Sequence, residues 1–168
     1  MVRKTSYRLL VAVVIIGAVL LGLRIVFPSD EVRIGKLLSR LERASNVAAG
    51  ESQLSRVARI QLFEELFAPQ CEVAVDTYDY GKLHFAGRDE LLQAASAAVL
   101  LQQAVTVKFP QTGIRVAQYR TNAVVEIAST VHTSQRSGGT LLLLKLLLDK
   151  DKGSWRITRV ESIRSLQM

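Results

Sequence analysis

The chain has 168 residues, with 22 basic and 15 acidic side chains and a formal net charge of +7. Arg3, Lys4, Arg8 and Arg24 precede residue 28, so the remaining part carries 18 basic and 15 acidic residues and a charge of only +3. That balance excludes the dense basic surface that nucleic-acid binding requires, and we expect no nucleic-acid partner. The single cysteine, Cys71, excludes a disulfide within the chain.

Residues 9–27 form an apolar segment behind a basic flank, residues 1–8. Arg24 is the only charged residue in this segment, and a helix of that length would span about 28 Å, close to the ~30 Å hydrocarbon core of a bilayer. We therefore predict a transmembrane anchor over 9–27, followed from Pro28 by one domain, residues 28–168. A cleaved secretory signal, which would release a soluble domain, is the alternative. Its apolar stretch is usually about 7–15 residues, and no pair of small residues marks a cleavage site here.

The position of the charges predicts the orientation of the anchor. Arg3, Lys4 and Arg8 favour a cytoplasmic amino terminus, because cytoplasmic flanks are rich in basic residues. Arg24 and the first basic residues of the domain lie on the other flank and reduce the difference. We expect a single-pass protein of the cytoplasmic membrane, with its domain on the extracytoplasmic (periplasmic) side.

Two amphipathic helices are predicted at the start of the domain. Ser29 can cap the first helix, and Asp30 and Glu31 favour its positive end. Its apolar face has helical spacing and consists of Ile34, Leu37, Leu38 and Leu41. A loop over residues 44–50 leads to the second helix, which ends near Pro69. The predicted apolar stripe of that helix is Leu54, Val57, Ala58, Leu62 and Leu66.

The period then changes from helix to strand. Cys71, Val73 and Val75 alternate with other residues, which predicts a strand that begins with Cys71 as a small buried apolar residue. A short strand over 83–85 and a third helix from Gly87 follow. The rest is strand pattern, with segments over 105–116, 123–132, 141–148 and 155–163. Helices and strands segregated in this way predict an α+β fold, with three helices on one face of a mainly antiparallel sheet.

Three features of these strand segments lead to further predictions. Pro110 and Gly113 mark a bend or bulge in the first of the four. In the last, Trp155 and Ile157 share parity and are predicted to lie in the core, with Val160 as the alternative inward residue beyond a bulge. The segment Leu141–Leu148 is leucine except for Lys145.

This leucine-rich strand should have two apolar faces. Parity puts Leu142, Leu144, Leu146 and Leu148 on one face, and Leu141, Leu143 and Leu147 with Lys145 on the other. One face can pack beneath the helices. A strand with one wet face should alternate, so the other face needs a cover.

Several segments match a known family in pattern and spacing. These are the helical pair from Asp30, Leu66-Phe67-Ala68, Phe85-Ala86-Gly87-Arg88-Asp89-Glu90-Leu91, Val105-x-Val107-x-Phe109, Ile114-x-Val116 with Tyr119 to Ala123, and Gly153-Ser154-Trp155-Arg156-Ile157. On these segments, residues 30–164 resemble the nuclear transport factor 2-like superfamily, which includes ketosteroid isomerase, scytalone dehydratase and polyketide cyclase relatives. The resemblance implies a cone-shaped domain with a pocket between a curved sheet and its helices. Because relatives often pair through the outer face of the sheet, it also implies that a second copy covers Leu141–Leu148; a terminal segment or another protein is the alternative.

Enzymes of this superfamily place an acid, a tyrosine or a histidine in the pocket. The candidates here are Asp76, Tyr78, Asp79, Tyr80, His84, Tyr119, Glu126 and His132. Asp76 lies near the position where isomerase-like relatives have a base, and a buried acid with a raised pKa could abstract a proton from a carbon acid. Exposure to solvent is the simpler interpretation, both for the turn-rich Thr77–Gly81 and for Glu126. No full catalytic set maps residue by residue.

We therefore expect a membrane-tethered, non-enzymatic module that binds a small apolar ligand or another protein outside the cytoplasmic membrane. The alternative is a small pocket enzyme, an isomerase, dehydratase or hydrolase, in which Asp76 or Glu126 acts as general base on an apolar substrate. Neither His84 nor His132 has a partner at the spacing of metal ligands, so we expect no metal. The sequence has no phosphate-binding glycine loop, so we expect no cofactor.

Overall fold

The computed structural model describes residues 28–77, 81–100, 104–134 and 139–167. The anchor predicted over 9–27 and its basic flank lie outside the described residues, as do Tyr78, Asp79 and Tyr80. Within the described ranges, no helix is both long and apolar enough to cross a membrane.

Three helices lie within the described residues: α1 (Asp30–Ser45), α2 (Gln53–Leu66) and α3 (Arg88–Leu100). Helix α1 begins as predicted, because the Ser29 hydroxyl accepts a hydrogen bond from the Val32 N–H. Hydrogen bonds from its own backbone N–H and from Ser29 lower the pKa of the Glu31 carboxyl. The predicted apolar face of α1 is buried in the core.

The same ranges contain six strands in one sheet. They are β1 (Phe67–Thr77), β2 (Gly81–Ala86), β3 (Val105–Val116), β4 (Asn122–Thr133), β5 (Gly139–Asp151) and β6 (Ser154–Gln167). Their order across the sheet is β2-β1-β6-β5-β4-β3. β1 and β6 are parallel, and the other neighbours are antiparallel. The α+β class and the order of elements are confirmed, and the mainly antiparallel sheet contains one parallel pair.

The helices cover one face of the sheet, which we call the inner face. Leu142, Leu146 and Leu148 of β5 are buried there, as parity predicts, and Leu144 packs against them. Cys71 is also buried, and this burial raises the pKa of its thiol. The opposite, outer face carries alternating charged and apolar side chains.

Helix α2 turns a different side inward from the one its sequence predicts. Leu54 is 84% exposed and Val57 is 54% exposed, whereas Arg59 is buried. Arg59 forms an ion pair with Glu51, and Leu66 is buried at the end of the helix. The predicted stripe is therefore wrong in its first two turns. The buried Arg59 side chain is accommodated there because the carboxylate partner is buried with it.

Bulges change the parity of two strands. The register between β3 and β4 shifts between Lys108 and Gln111, which confirms the predicted irregularity near Pro110. In β6, Trp155 and Ile157 are buried, and so is Val160. The register against β5 shifts between Leu147 and Leu148. This shift inserts one extra residue into β6, so Trp155 and Ile157 on one side of the bulge and Val160 on the other all face the core.

A buried carboxylate ties the start of α1 to the hairpin of β5 and β6. Asp30 Oδ1 accepts hydrogen bonds from Lys150 Nζ at 2.7 Å and from Trp155 Nε1 at 3.1 Å. The Lys150 ammonium also lies 5.3 Å from the centre of the Trp155 ring, a cation–π contact. The hydrogen bond from Lys150, assisted by Trp155, lowers the pKa of Asp30 against the opposing effect of burial.

Candidate apolar ligand site

An apolar cavity of about 210 Å³ lies between the inner face of the sheet and the helices. Among the described residues that line it, only Ser45 and Ser129 contribute hydroxyl groups, and none has a titratable side chain. The other lining residues are Leu41, Phe63, Phe67, Val73, Val75, Leu91, Val107, Phe109, Ile127, Val131, Leu142, Leu144, Leu146 and Val160. The wall is therefore suited to an apolar molecule and offers it very few hydrogen bonds.

Sequence analysis missed both polar residues of this wall, and the more deeply buried of the two is Ser129. It is 2% exposed, and among the described residues its hydroxyl has no hydrogen-bond partner. A buried hydroxyl usually has one, because an unsatisfied polar group costs about 1–3 kcal/mol. A signal was present in the sequence, since Ser129 shares parity with Val125 and Ile127 on the apolar face of β4.

The two candidate acids that the structure describes, Asp76 and Glu126, do not meet in this cavity. Asp76 lies on the outer face of β1 opposite Lys82, and Glu126 lies on the outer face of β4 in an ion pair with Arg115. Both carboxylates are exposed. Between β1 and β4 lie β6 and β5, so three strand spacings, roughly 14 Å, separate the two strands.

The other candidates within the described residues, His84, Tyr119 and His132, are also exposed. His84 lies on the outer face of β2 and contacts Glu72, with 3.3 Å between Nε2 and Oε1. Tyr119 is 86% exposed in the turn between β3 and β4. His132 lies near the end of β4, and its ring covers Gly139 so closely that a Cβ there would come within 2.5 Å of the imidazole. Within the described ranges, no three His, Cys, Asp or Glu side chains are grouped to hold a metal ion.

Charges of alternating sign cross the outer face. Glu72 on β1 pairs with Arg159 on β6, which also contacts Glu161 at 3.2 Å. Lys145 on β5 stands in register between Glu161 and Glu126, and Glu126 pairs with Arg115 on β3. We call this set, from Glu72 to Arg115, the charge row. Hydrogen bonds from His84 and Arg159 lower the pKa of Glu72.

Comparison with known proteins shows which solved structures share this fold. No protein-family model and no curated protein matches the sequence. Among solved structures, an NTF2-like protein of unknown function from Pseudomonas putida has a TM-score of 0.61 at 12% identity, over 80% of this chain and 87% of that one. An uncharacterised protein with a cystatin-like fold from Caulobacter vibrioides has a TM-score of 0.58 at 17% identity, over 82% and 89%.

An enzyme is among the similar structures as well. The hexachlorocyclohexane dehydrochlorinase LinA-type3 from Novosphingobium barchaimii has a TM-score of 0.55 at 9% identity, over 82% of this chain and 89% of that chain. Proteins of unknown function and an enzyme therefore share this architecture, and identities this low carry no activity from one to another. The described part of the chain has the nuclear transport factor 2-like fold that its sequence resembles.

Proposed function

We propose that the domain is a binding module that holds a small apolar ligand in the cavity between the sheet and the helices. The observation that carries this proposal is the composition of the cavity wall, whose described residues are apolar apart from Ser45 and Ser129. Removing apolar ligand surface from water favours binding in such a site. An enzyme would need a base that reaches the cavity. Asp76 and Glu126 lie on the other face of the sheet, so binding is the function that the geometry supports best.

The test is to purify the full chain and analyse it by native mass spectrometry, followed by extraction of any bound small molecule. Val131 lines the cavity, and Val124 lies on the outer face of the same strand. Val131→Phe should fill part of the cavity and reduce the amount of bound ligand, whereas the matched Val124→Phe should retain it. Equal retention in the two variants, or no bound molecule in the unmodified chain, would contradict a ligand in this cavity.

We also propose that residues 9–27 hold this module at the membrane, on the extracytoplasmic side. This proposal is supported by the apolar segment itself and by the short stretch of chain between its end and the start of helix α1. Helix α1 begins at Asp30, so only Pro28 and Ser29 separate the helix from the segment, and two extended residues span about 7 Å. The Asp30 contacts with Lys150 and Trp155 fasten that helix to the sheet. A domain attached in this way would stay close to the bilayer surface.

Self-association through the outer face is the third part of the proposal. Leu143 and Leu147 are half-buried there on either side of Lys145. A two-fold axis parallel to the sheet, running along the strands between Glu161 and Lys145, would bring the outer faces of two copies together, with Glu161 of each copy opposite Lys145 of the other. Such an isologous contact would form this pair of opposite charges twice. It would also cover the outer leucines.

A further inference from the structure

We infer that the Ser129 hydroxyl is the hydrogen-bonding anchor for the ligand, and that the ligand is an apolar molecule carrying one hydroxyl or carbonyl group. This inference rests on the proposed binding function and specifies the class of molecule bound. Ser129 is 2% exposed, lines the cavity and has no hydrogen-bond partner among the described residues. A purely apolar ligand would leave that hydroxyl unsatisfied, whereas one polar group on the ligand would satisfy it.

The surroundings of Ser129 limit what else the ligand can carry. Its neighbours on the inner face of β4 are Ile127 and Val131, and Leu142 is its register partner on β5. These side chains offer no hydrogen bond and no counter-ion. A charged ligand group buried beside them would lose its hydration without a partner, so the polar group should be neutral.

The cavity volume limits the size of the ligand. An engineered apolar cavity of about 150 Å³ binds benzene, and the cavity here measures about 210 Å³. A single ring with one small substituent is therefore an appropriate probe. Phenol and toluene make a matched pair, because they differ only in a hydroxyl in place of a methyl group.

The experiment titrates the full chain in lipid nanodiscs with phenol or toluene and follows the NMR signals of the Leu142 and Leu146 methyl groups, which line the cavity. Both probes partition into lipid, but this loss is the same for every variant and cancels in the comparison. Ser129→Ala should weaken phenol binding about tenfold, which corresponds to one neutral hydrogen bond, and should leave toluene binding unchanged. Ser129→Cys, with a weaker donor, should lie between.

Two control variants locate the effect. Thr130→Ala changes the next residue, on the outer face of β4, and should alter neither affinity. Ser45→Ala removes the other hydroxyl of the wall and should have a smaller effect than Ser129→Ala, because Ser45 is only half-buried. A tenfold loss of phenol affinity in Ser45→Ala, with none in Ser129→Ala, would overturn the assignment of the anchor.

The remaining outcomes separate this inference from the proposed function. Binding of both probes, with phenol unaffected by Ser129→Ala, would overturn the Ser129 anchor and leave an apolar binding site in place. Binding of neither probe would overturn the cavity as a ligand site altogether. Toluene binding also serves as a folding control, since a Ser129→Ala chain that binds toluene normally has kept its cavity.

Discussion

Truncation of Trp155 tests how the core and the start of α1 are joined. The indole is 6% exposed, packs in the core and donates Nε1–H to Asp30. Trp155→Ala should destabilise the fold by about 3–5 kcal/mol, the usual cost of removing a large buried aromatic side chain. Trp155→Phe keeps most of the apolar packing but removes the hydrogen bond to a carboxylate. It should cost about 1.5–3 kcal/mol, because Asp30 retains Lys150.

The assay is urea unfolding of the full chain in mild detergent, followed by far-ultraviolet circular dichroism, since Trp155 is the only tryptophan and its fluorescence is lost in the variants. Tyr119→Ala is the matched aromatic control. Tyr119 is 86% exposed, so its loss should change the free energy of unfolding by no more than about 0.5 kcal/mol. A cost below about 1 kcal/mol for Trp155→Ala would refute the packing of β6 described here. Equal costs for the two Trp155 variants would assign the whole effect to the hydrogen bond.

Three further predictions concern pH, self-association and the membrane. The pKa of Asp30 is lowered in the fold, so its ionised form stabilises the fold above the unfolded pKa of about 3.9. Asp30→Asn should therefore be less stable than the unmodified chain at pH 7. This difference in the free energy of unfolding should shrink as pH falls below about 4. A margin in urea unfolding that is constant from pH 7 to pH 3 would contradict this linkage. Leu143→Glu should dissociate the self-associated chain in sedimentation velocity, whereas Leu54→Glu, on exposed α2 surface, should not; a monomeric unmodified chain would remove the proposed dimer. The chain should stay with membranes after alkaline extraction, and its recovery in the soluble fraction would contradict the tether. Protease added to spheroplasts should digest the domain, and protection of the domain until lysis would contradict the proposed orientation.

Some features of the fold were predictable because they depend on local periodicity. The change from helical spacing in Ile34–Leu41 to alternation in Cys71–Val75 reflects the different pitch of helix and strand. Ser29 caps α1 through its own side chain and the neighbouring backbone, so its role was visible in a few residues. The bulge near Pro110 has a similar local cause, since proline cannot donate to the strand ladder.

Other features depend on residues that are distant in the chain. The inward face of α2 was mispredicted because the burial of Arg59 depends on the Glu51 carboxylate, and a hydrophobic pattern does not show that pairing. The parity of β6 changes at its bulge, so the inward positions of Trp155 and Val160 follow from its pairing with β5. The parallel pairing of β1 with β6 joins opposite ends of the domain.

The candidate site likewise has one part that local periodicity predicts and another that depends on contacts between distant residues. The sequence by itself determined which residues alternate on each strand, and so the grouping of Leu142, Leu144, Leu146 and Leu148 on one face. Only the tertiary structure decided that the helices cover this face. As a result Ser129 lies in the cavity wall, while Asp76 and Glu126 lie on the opposite face of the sheet. Alternation is a property of the extended backbone, but the choice of the buried face depends on the packing of all the elements together.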